Sequence, residues 1–433
     1  MCQKPDKCSR LPSGKKKESS VELADIFRTL GSDFFQEANL TSRQHQAINN
    51  IVRCRTAAMG GHLWGCESCG ETLPMYNSCL DRHCPKCQGK ARQKWVSARM
   101  EELLDTNYFH LVFTLPHELN PLVAANPKLL INLLFRAVSR TLLAFGWDPK
   151  YLGGQLGALL FLHTWTQKLE RHYHIHCIVP GGALKDDGSW ISLKNPEFLF
   201  PEAALSKTFR RLFWQGTTCL PNATNILVPK RIKFEGLKSL LDNQSLVLPS
   251  VCGNLNNSVG IRKLEDRLYK KNWVVYAKRP YGGPAQVVKY LGAYTHRVAI
   301  SNSRILSYTN GVVTFSYKHR CKHKVEMREM PLPDHEFTRR FLFHVLPKNL
   351  VRIRFYGFWA PCNKKTKLRL CQKLVGKAQL EDTAILATEN EETLSEGNTP
   401  KICPFCHKNT LFLLRRITSQ EQADASIHIW DSS

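Results

Sequence analysis

Acidic side chains and long apolar runs are both scarce in this sequence. Only 36 Asp and Glu residues stand against 61 Lys and Arg residues, which leaves a formal net charge of +25 on 433 residues. A charge of this size opposes compaction by self-repulsion, and it indicates a polyanionic partner, with nucleic acid first and an anionic membrane surface second. The longest apolar stretches, 129–134 and 156–162, are too short to cross a bilayer, so no membrane-spanning segment and no membrane partner are predicted.

The N-terminus also lacks a feature, namely the apolar core of a signal peptide. Residues 1–17 are polar and basic, so the chain is expected to stay in a reducing cytoplasm. In that compartment 16 cysteines are unsuited to a disulfide framework, and their paired spacings indicate metal binding instead.

The chain has enough apolar residues for more than one core. Hydrophobic residues make up 43% of it, and a chain of this length predicts two or three domains. Apolar alternation predicts strands at 109–115, 156–167 and 172–180, whereas helical spacing predicts long helices at 121–145 and 201–215. Strands interleaved with long helices, joined by antiparallel connections, predict an α+β fold with a central antiparallel sheet flanked by helices.

Composition divides the chain into six segments. These are a disordered basic tail at 1–20, a metal-binding domain at 21–104, the main α+β domain at 105–345, a basic extension at 346–379, an acidic linker at 380–400 and a small Cys-containing tail at 401–433.

Two histidines lie two positions apart in one predicted strand. Side chains alternate along a strand, so His174 and His176 point to the same face and can share a divalent ion. Two surface histidines without a metal are an equally good interpretation of this pair taken alone.

The preceding strand supplies a third candidate ligand. A hairpin that turns between residues 169 and 170 pairs positions whose numbers sum to 339, so that His163 lies directly across from His176. Gln167 is the alternative third ligand, and His172 is a weaker one. Three ligands from two strands would leave open positions for a substrate.

Tyr290 and Tyr294 are four positions apart in a predicted helix that begins near Pro284. Residues at this spacing lie on one helix face, so both hydroxyls can reach one metal site as nucleophiles. An aromatic stripe packed into a core is the alternative. The neighbouring basic residues suit a scissile phosphate; they are Lys289, His296 and Arg297.

The N-terminal domain carries two Cys-x-x-Cys turns near the spacing of a four-cysteine zinc ribbon. The predicted zinc ligands are Cys66, Cys69, Cys84 and Cys87. A possible second zinc site uses the remaining Cys54, His62, Cys79 and His83. Basic residues on the following predicted helix are candidate phosphate contacts or a solvated face, namely Lys90, Arg92 and Lys94.

A further Cys-x-x-Cys turn stands by itself near the C-terminus. Cys403 and Cys406 could form a site with Cys362 and Cys371, although the acidic linker separates the two pairs. The basic residues of the segment 364–369 are more simply interpreted as a surface that faces DNA.

Together these motifs resemble a known family. Residues 172–182, followed by residues 289–301, resemble the two-tyrosine HUH transposases of rolling-circle insertion sequences, where HUH denotes His-hydrophobe-His. Residues 54–62 and 79–87 resemble the N-terminal zinc-binding domain of that family. The resemblance spans about 41–358 in the expected order.

The resemblance implies a fold, an activity and partners. It implies an HUH nuclease sheet at 105–345 behind a small zinc-ribbon-like DNA-recognition domain with structural Zn²⁺. It also implies nicking and rejoining of single-stranded element ends and targets through a 5′-phosphotyrosine, in a bacterial-type, nucleoid-associated protein. Imidazole ligands alone favour Mn, Zn or Ni, whereas HUH enzymes work with Mg²⁺ or Mn²⁺.

Two alternatives to a transposase remain at this point. A plasmid rolling-circle replication initiator or relaxase uses the same chemistry, but the zinc domain ahead of the HUH domain favours the transposase. A decayed copy that binds DNA through zinc without enzymatic activity is the other alternative.

Overall fold

Five antiparallel strands form the sheet that carries the histidine pair. A computed structural model describes residues 21–217, 234–281, 284, 287, 298–321, 324–378 and 402–419, with the backbone alone at 32, 88–91, 278–281 and 320. The sheet has the order β12-β4-β5-β3-β8, and every neighbouring pair is antiparallel. Its strands are β3 (Tyr108–Thr114), β4 (Gly157–Trp165), β5 (Arg171–Pro180), β8 (Val275–Tyr281) and β12 (Ile353–Gly357). The predicted α+β fold with a central antiparallel sheet is confirmed.

Helices cover one face of this sheet and form the largest core with it. Phe113 on β3 and Ile175 on β5 are fully buried there against Leu134 and Phe209 of the helical layer. The sequence predicted one helix at 121–145, but two form, because Pro127 cannot donate a backbone hydrogen bond and begins a new helix. The helices of this layer are α5 (Asn120–Ala125), α6 (Pro127–Trp147), α7 (Glu202–Gln215), α8 (Leu237–Asp242) and α9 (Ser258–Lys270).

Helix α6 is the one helix of the described residues that is long and apolar enough to cross a membrane by length and composition. Its most apolar stretch is 78% buried inside the protein. A central core helix has the same properties, so this is weak evidence for a membrane span.

The opposite face of the sheet, on which the histidines lie, has a smaller apolar cover. Trp95 of α4 (Gln88–Met100) contacts Phe161, and Trp359 stacks on Tyr108. Val287 is buried in the same cluster. Helix α11 (Arg369–Val375) and a two-stranded hairpin of β6 (Gly182–Leu184) and β7 (Trp190–Ser192) lie beside it.

A second core joins the N-terminal helices to a three-stranded sheet of the order β11-β10-β9. Thr41 caps the N-terminus of the third helix by accepting a hydrogen bond from the Gln44 backbone N–H. The tip of the β4–β5 hairpin enters this core at Leu169, which is fully buried. The elements are α1 (Leu23–Thr29), α2 (Ser32–Glu37), α3 (Ser42–Arg53), β9 (Ile305–Thr309), β10 (Val312–Cys321), β11 (Lys324–Pro333) and α10 (Asp334–Leu342).

The third sheet combines both ends of the described chain. Strand β13 (Leu411–Ile417) pairs with β1 (Gly61–Cys66), which pairs in turn with β2 (Thr72–Tyr76). The expectation that 401–433 forms a separate small tail is therefore corrected for its described part. β2 covers one edge of β1, and β13 pairs with the other edge. The predicted disordered tail at 1–20 and the acidic linker at 380–400 lie outside the described residues.

Candidate active site and cysteine clusters

Three imidazoles converge on the face of the central sheet. The ligand nitrogens of His163, His174 and His176 all lie within 4.8 Å of one another. His163 pairs directly with His174, and Phe161 pairs with His176. The sequence-based register is corrected by two positions, since it placed His163 opposite His176. His163 still meets both histidines, because a shift of two positions keeps each side chain on its face.

The turn of the hairpin explains the shift. β4 ends at Trp165 and β5 begins at Arg171, so the connection is longer than a two-residue turn. A bulge also interrupts the pairing between His163 and Trp165. The turn closes through a hydrogen bond from the Thr166 backbone N–H to the Glu170 carbonyl, and Leu169 takes a left-handed φ of 60° within it. Gln167, the alternative third ligand, lies in this turn.

Hydrogen bonds orient the two histidines of the motif. His174 Nδ1 lies 2.9 Å from the His172 carbonyl, and His176 Nδ1 lies 2.9 Å from His110 Nε2. A ring nitrogen that faces a carbonyl carries the proton, so His174 keeps the lone pair on Nε2. Nδ1 of His176 is likewise occupied by its contact with His110, so Nε2 of His176 is left to bind a metal ion. Such outer contacts are typical of metal-binding histidines.

His110 is a site residue that the sequence reasoning missed. It lies on β3, where Val112 pairs with His176 and His110 is the next residue on the same face. The predicted strand at 109–115 already contained this histidine. The alternation of side chains along β3 would have identified His110, once β3 was known to pair with β5.

Burial keeps the His174 imidazole in the form that binds metals. It lowers the pKa of His174 to about 4, with a smaller effect from the neighbouring His172, and burial also lowers the pKa of His172. A neutral imidazole at pH 7 offers a lone pair to a divalent ion. Three nitrogen donors on two rigid strands fit an ion that has further positions open for phosphate oxygens or water.

The predicted nucleophiles and three of their basic neighbours lie outside the described residues. These are Tyr290, Tyr294, Lys289, His296 and Arg297. The predicted helix that contains them is described only at Pro284 and Val287, both of which are helical. Val287 packs with Leu159 and Ile178 on the histidine-bearing face of the sheet. On α4, Arg92 is half-buried and Lys94 is exposed, whereas the side chain of Lys90 is not described.

The four cysteines predicted to form one ribbon belong to two different clusters. Cys84 and Cys87 meet Cys54 and Cys79, and we call this group the N-terminal cluster. Its Sγ atoms are 3.3 Å apart between Cys54 and Cys87, and 3.6 Å apart between Cys79 and Cys87. Four sulfurs around zinc at about 2.3 Å are separated by about 3.8 Å, so these thiols fit a structural zinc ion.

Cys66 and Cys69 meet Cys403 and Cys406 instead, and we call this group the composite cluster. The expected grouping of Cys66 and Cys69 with Cys84 and Cys87 is therefore corrected. The physical reason is that β1 pairs with β13, which brings the C-terminal turn to the end of β1. The suggested partners of the C-terminal turn are corrected too, since they lie elsewhere; Cys362 is exposed and Cys371 is buried beside Leu368.

Neither histidine of the suggested second zinc site belongs to a cluster of the described residues. His62 lies on β1, where it pairs with Met75. His83 is buried, which lowers its pKa to about 3, and its backbone N–H donates to Asp81 Oδ1. Asp81 in turn pairs with Arg43 of α3. His83 thus belongs to a packed polar contact between the metal-binding loop and α3, which corrects its assignment as a ligand.

Comparisons with known proteins agree with this arrangement. Residues 157–367, which contain the imidazole cluster, match the family described as "Putative transposase". Residues 26–115 match the family described as "Transposase zinc-binding domain". No solved structure matches the chain.

Two relatives match over most of their length. The "Putative transposase y4qJ" of Sinorhizobium fredii is 39% identical over 92% of this chain and 95% of its own. The "Transposase for insertion sequence element IS801" of Pseudomonas savastanoi pv. phaseolicola is 27% identical over 75% of this chain and 72% of its own. Domain order, zinc-binding domain and relatives agree, so the chain belongs to the IS91 family of insertion-sequence transposases, which are DNA-processing enzymes.

Proposed function

We propose that the protein nicks and rejoins single DNA strands through a 5′-phosphotyrosine and so drives rolling-circle transposition of an insertion sequence. The observation that carries the proposal is the imidazole cluster: three buried or half-buried histidines on one sheet face, two of them with Nδ1 already bonded. Three nitrogen donors can bind one ion and leave some of its coordination positions open for a substrate.

His163, His174 and His176 would hold the ion, and Mg²⁺ or Mn²⁺ is the proposed one. When bound, such an ion binds and polarises a scissile phosphate and orients the leaving sugar oxygen. Gln167 stays the alternative to His163 as third ligand. The structural ion of the N-terminal domain is zinc, in agreement with the four thiols of the N-terminal cluster.

Tyr290 and Tyr294 are the proposed nucleophiles. The tyrosine oxygen forms a bond to the phosphorus while the bond from phosphorus to the 3′ oxygen breaks. The phenolic proton is lost, and the leaving 3′ oxygen takes up a proton. The bond energy stays in the phosphotyrosine, so rejoining needs no ATP. With two tyrosines, one can hold the first 5′ end while the other attacks a second strand.

Val287 supports this assignment. It packs on Ile178, which is two residues from His176 on the same sheet face. Val287 is three positions before Tyr290 in the sequence, and it is the described residue nearest to the proposed nucleophiles. Its packing on the histidine-bearing face is the observation that supports a tyrosine nucleophile from this segment.

Single-stranded element ends and targets are the proposed substrate. The net charge of +25 favours a phosphate backbone, and the proposed contacts are Lys289, His296 and Arg297 near the tyrosines and Lys90, Arg92 and Lys94 on α4.

The test is a covalent adduct between protein and single-stranded DNA. The full chain is incubated with Mn²⁺ and a strand that carries an element end, and an adduct that survives SDS is expected. Tyr290→Phe with Tyr294→Phe should abolish it, whereas the half-exposed Tyr276 of β8 supplies a matched Tyr276→Phe control that should keep it. An adduct in the double variant would refute these nucleophiles.

The metal ligands need a separate arm. His174→Ala with His176→Ala should bind the same strand and form no adduct. Full nicking by that variant would refute the ligand assignment, and a wild-type chain that never forms an adduct with a functional end would refute the enzyme.

A further inference from the structure

Two Cys-x-x-Cys turns near opposite ends of the chain have the same backbone construction. After Cys66 and Cys69, the Gly70 N–H donates to the Cys66 carbonyl at 2.8 Å, and Gly70 has a φ of 74°. After Cys403 and Cys406, the His407 N–H donates to the Cys403 carbonyl at 2.8 Å, and His407 has a φ of 58°. Each turn thus directs two thiols to one side.

The two turns face each other. The Sγ atoms of Cys66 and Cys406 are 3.6 Å apart, and those of Cys69 and Cys403 are 3.7 Å apart. A disulfide needs about 2.05 Å, whereas four sulfurs around zinc at about 2.3 Å are separated by about 3.8 Å. The spacing matches tetrahedral coordination and not a disulfide.

Hydrogen bonds from neighbouring residues support the composite cluster. The Glu67 N–H donates to the Thr410 carbonyl at 3.0 Å, which ties the first turn to the strand that follows the second. The Thr410 hydroxyl lies 3.1 Å from Cys66 Sγ, where it can donate to a thiolate. Contacts of this kind around a metal ligand orient it and stabilise its charge.

We propose that the composite cluster binds a second structural zinc ion, which joins the C-terminal residues 402–419 to the N-terminal zinc-binding domain. The family match for that domain covers 26–115 only, so it contains two of the four thiols. The ligands Cys69 and Cys403 are 334 positions apart. A metal that closes so long a loop restricts the unfolded chain strongly, and it fixes β13 on the edge of β1.

The first experiment counts zinc in the full chain. All variants carry His174→Ala and His176→Ala, so that the imidazole cluster contributes none. We expect two zinc ions per chain, and one after Cys403→Ser with Cys406→Ser or after Cys66→Ser with Cys69→Ser. Cys362→Ser is the matched control, because Cys362 is exposed and belongs to neither cluster; it should keep two.

The quadruple serine variant decides whether the two turns share one ion. It should keep one zinc, the same as either pair, since all four thiols bind the same ion. A further loss in the quadruple variant would mean separate sites, and two zinc ions in Cys403→Ser/Cys406→Ser would mean that the C-terminal thiols bind none. Either result overturns the proposal.

A further measurement keeps all cysteines intact, so its result does not depend on whether the cysteine variants fold. X-ray absorption of zinc in the same histidine background should give four sulfur neighbours at about 2.3 Å for each of two ions. One zinc per chain, or iron in place of the second zinc, would overturn the proposal.

Discussion

At the residue scale, the contact with His110 orients the imidazole ring of His176. Their rings stack with centroids 5.1 Å apart, and both side chains are buried. We predict that His110→Ala weakens binding of the active-site ion about 10–100-fold, the usual cost of losing such a contact. The nicking rate at saturating Mn²⁺ should stay near that of the wild type, so a titration of rate against Mn²⁺ separates the two effects.

His117→Ala is the matched control for this titration, because the His117 side chain is 79% exposed and does not belong to the imidazole cluster. It should leave the Mn²⁺ dependence unchanged. An unchanged Mn²⁺ dependence in His110→Ala would contradict a positioning role for His110.

His344 is a buried histidine whose titration affects stability. Its Nε2 faces the Leu169 carbonyl and its Nδ1 faces the Thr164 hydroxyl, both at 3.1 Å, so both contacts suit the neutral ring. Burial lowers its pKa to about 4, below the unfolded value of about 6.5. Between these values the unfolded chain binds more protons, so stability is complete above about pH 6.5 and falls as the pH drops toward 4.

The prediction concerns the difference between pH 7 and pH 5. His344→Gln cannot take up this proton, so its free energy of unfolding should fall by roughly 2 kcal/mol less than that of the wild type over this interval. Urea unfolding at the two pH values measures it. Equal losses in the two proteins would contradict the assignment.

At the element scale, the β4–β5 hairpin is held at its tip by residues from the second core. Arg304 Nη2 donates to the Gln167 carbonyl at 2.5 Å, and Arg340 Nη1 donates to the Lys168 carbonyl at 3.2 Å. Because His163 and His174 belong to this hairpin, the contacts connect the second core to the imidazole cluster.

We predict that Arg304→Met destabilises the protein by about 1–3 kcal/mol, since it leaves the partly buried carbonyls of Gln167 and Ser316 without their donor. It should also speed amide exchange at residues 166–170 and weaken Mn²⁺ binding. Arg328→Met is the control, because Arg328 is exposed on β11 and pairs with the exposed Glu326. Equal effects of the two substitutions would argue against the hairpin contact.

At the scale of the whole molecule, the net charge governs the binding of DNA. The net charge of +25 predicts that binding of single-stranded DNA depends steeply on salt. With six to ten phosphate contacts, affinity should fall by about 10³–10⁵ between 50 and 200 mM salt. Fluorescence anisotropy with a labelled strand measures the slope, and His174→Ala/His176→Ala should show the same one. A flat salt dependence would contradict electrostatic binding.

The loop between two cysteines of the N-terminal cluster also reaches the central sheet. Arg82 donates to the carbonyls of Leu346, Pro347 and Leu350, just before β12, which pairs with β4. Its guanidinium therefore links the zinc-binding domain to the edge of the sheet that carries the imidazole cluster.

Elements with strong burial patterns were predictable, and elements without them were not. Strands β3 and β5 and helix α7 formed close to their predicted bounds, because each has a buried face with a clear period. Strand β11 was missed, since nearly all of its residues are exposed and its apolar residues do not keep to one face: Val325 and Met327 are in one phase of the alternation, and Met330 and Leu332 are in the other. Strand β13 was missed for the same reason, and its pairing with β1 is non-local.

The sequence by itself determined what depends on neighbouring residues. The pleat of a strand places His174 and His176 on one face, and a Cys-x-x-Cys turn aims its two thiols together wherever it lies. Tertiary structure alone decided that His110 meets His176 and that Cys66 meets Cys406, and it set the register in which His163 lies opposite His174 and not His176. Two Cys-x-x-Cys turns look alike in sequence, and their partners follow from strand pairings across more than 300 residues, which the packing of the whole fold selects.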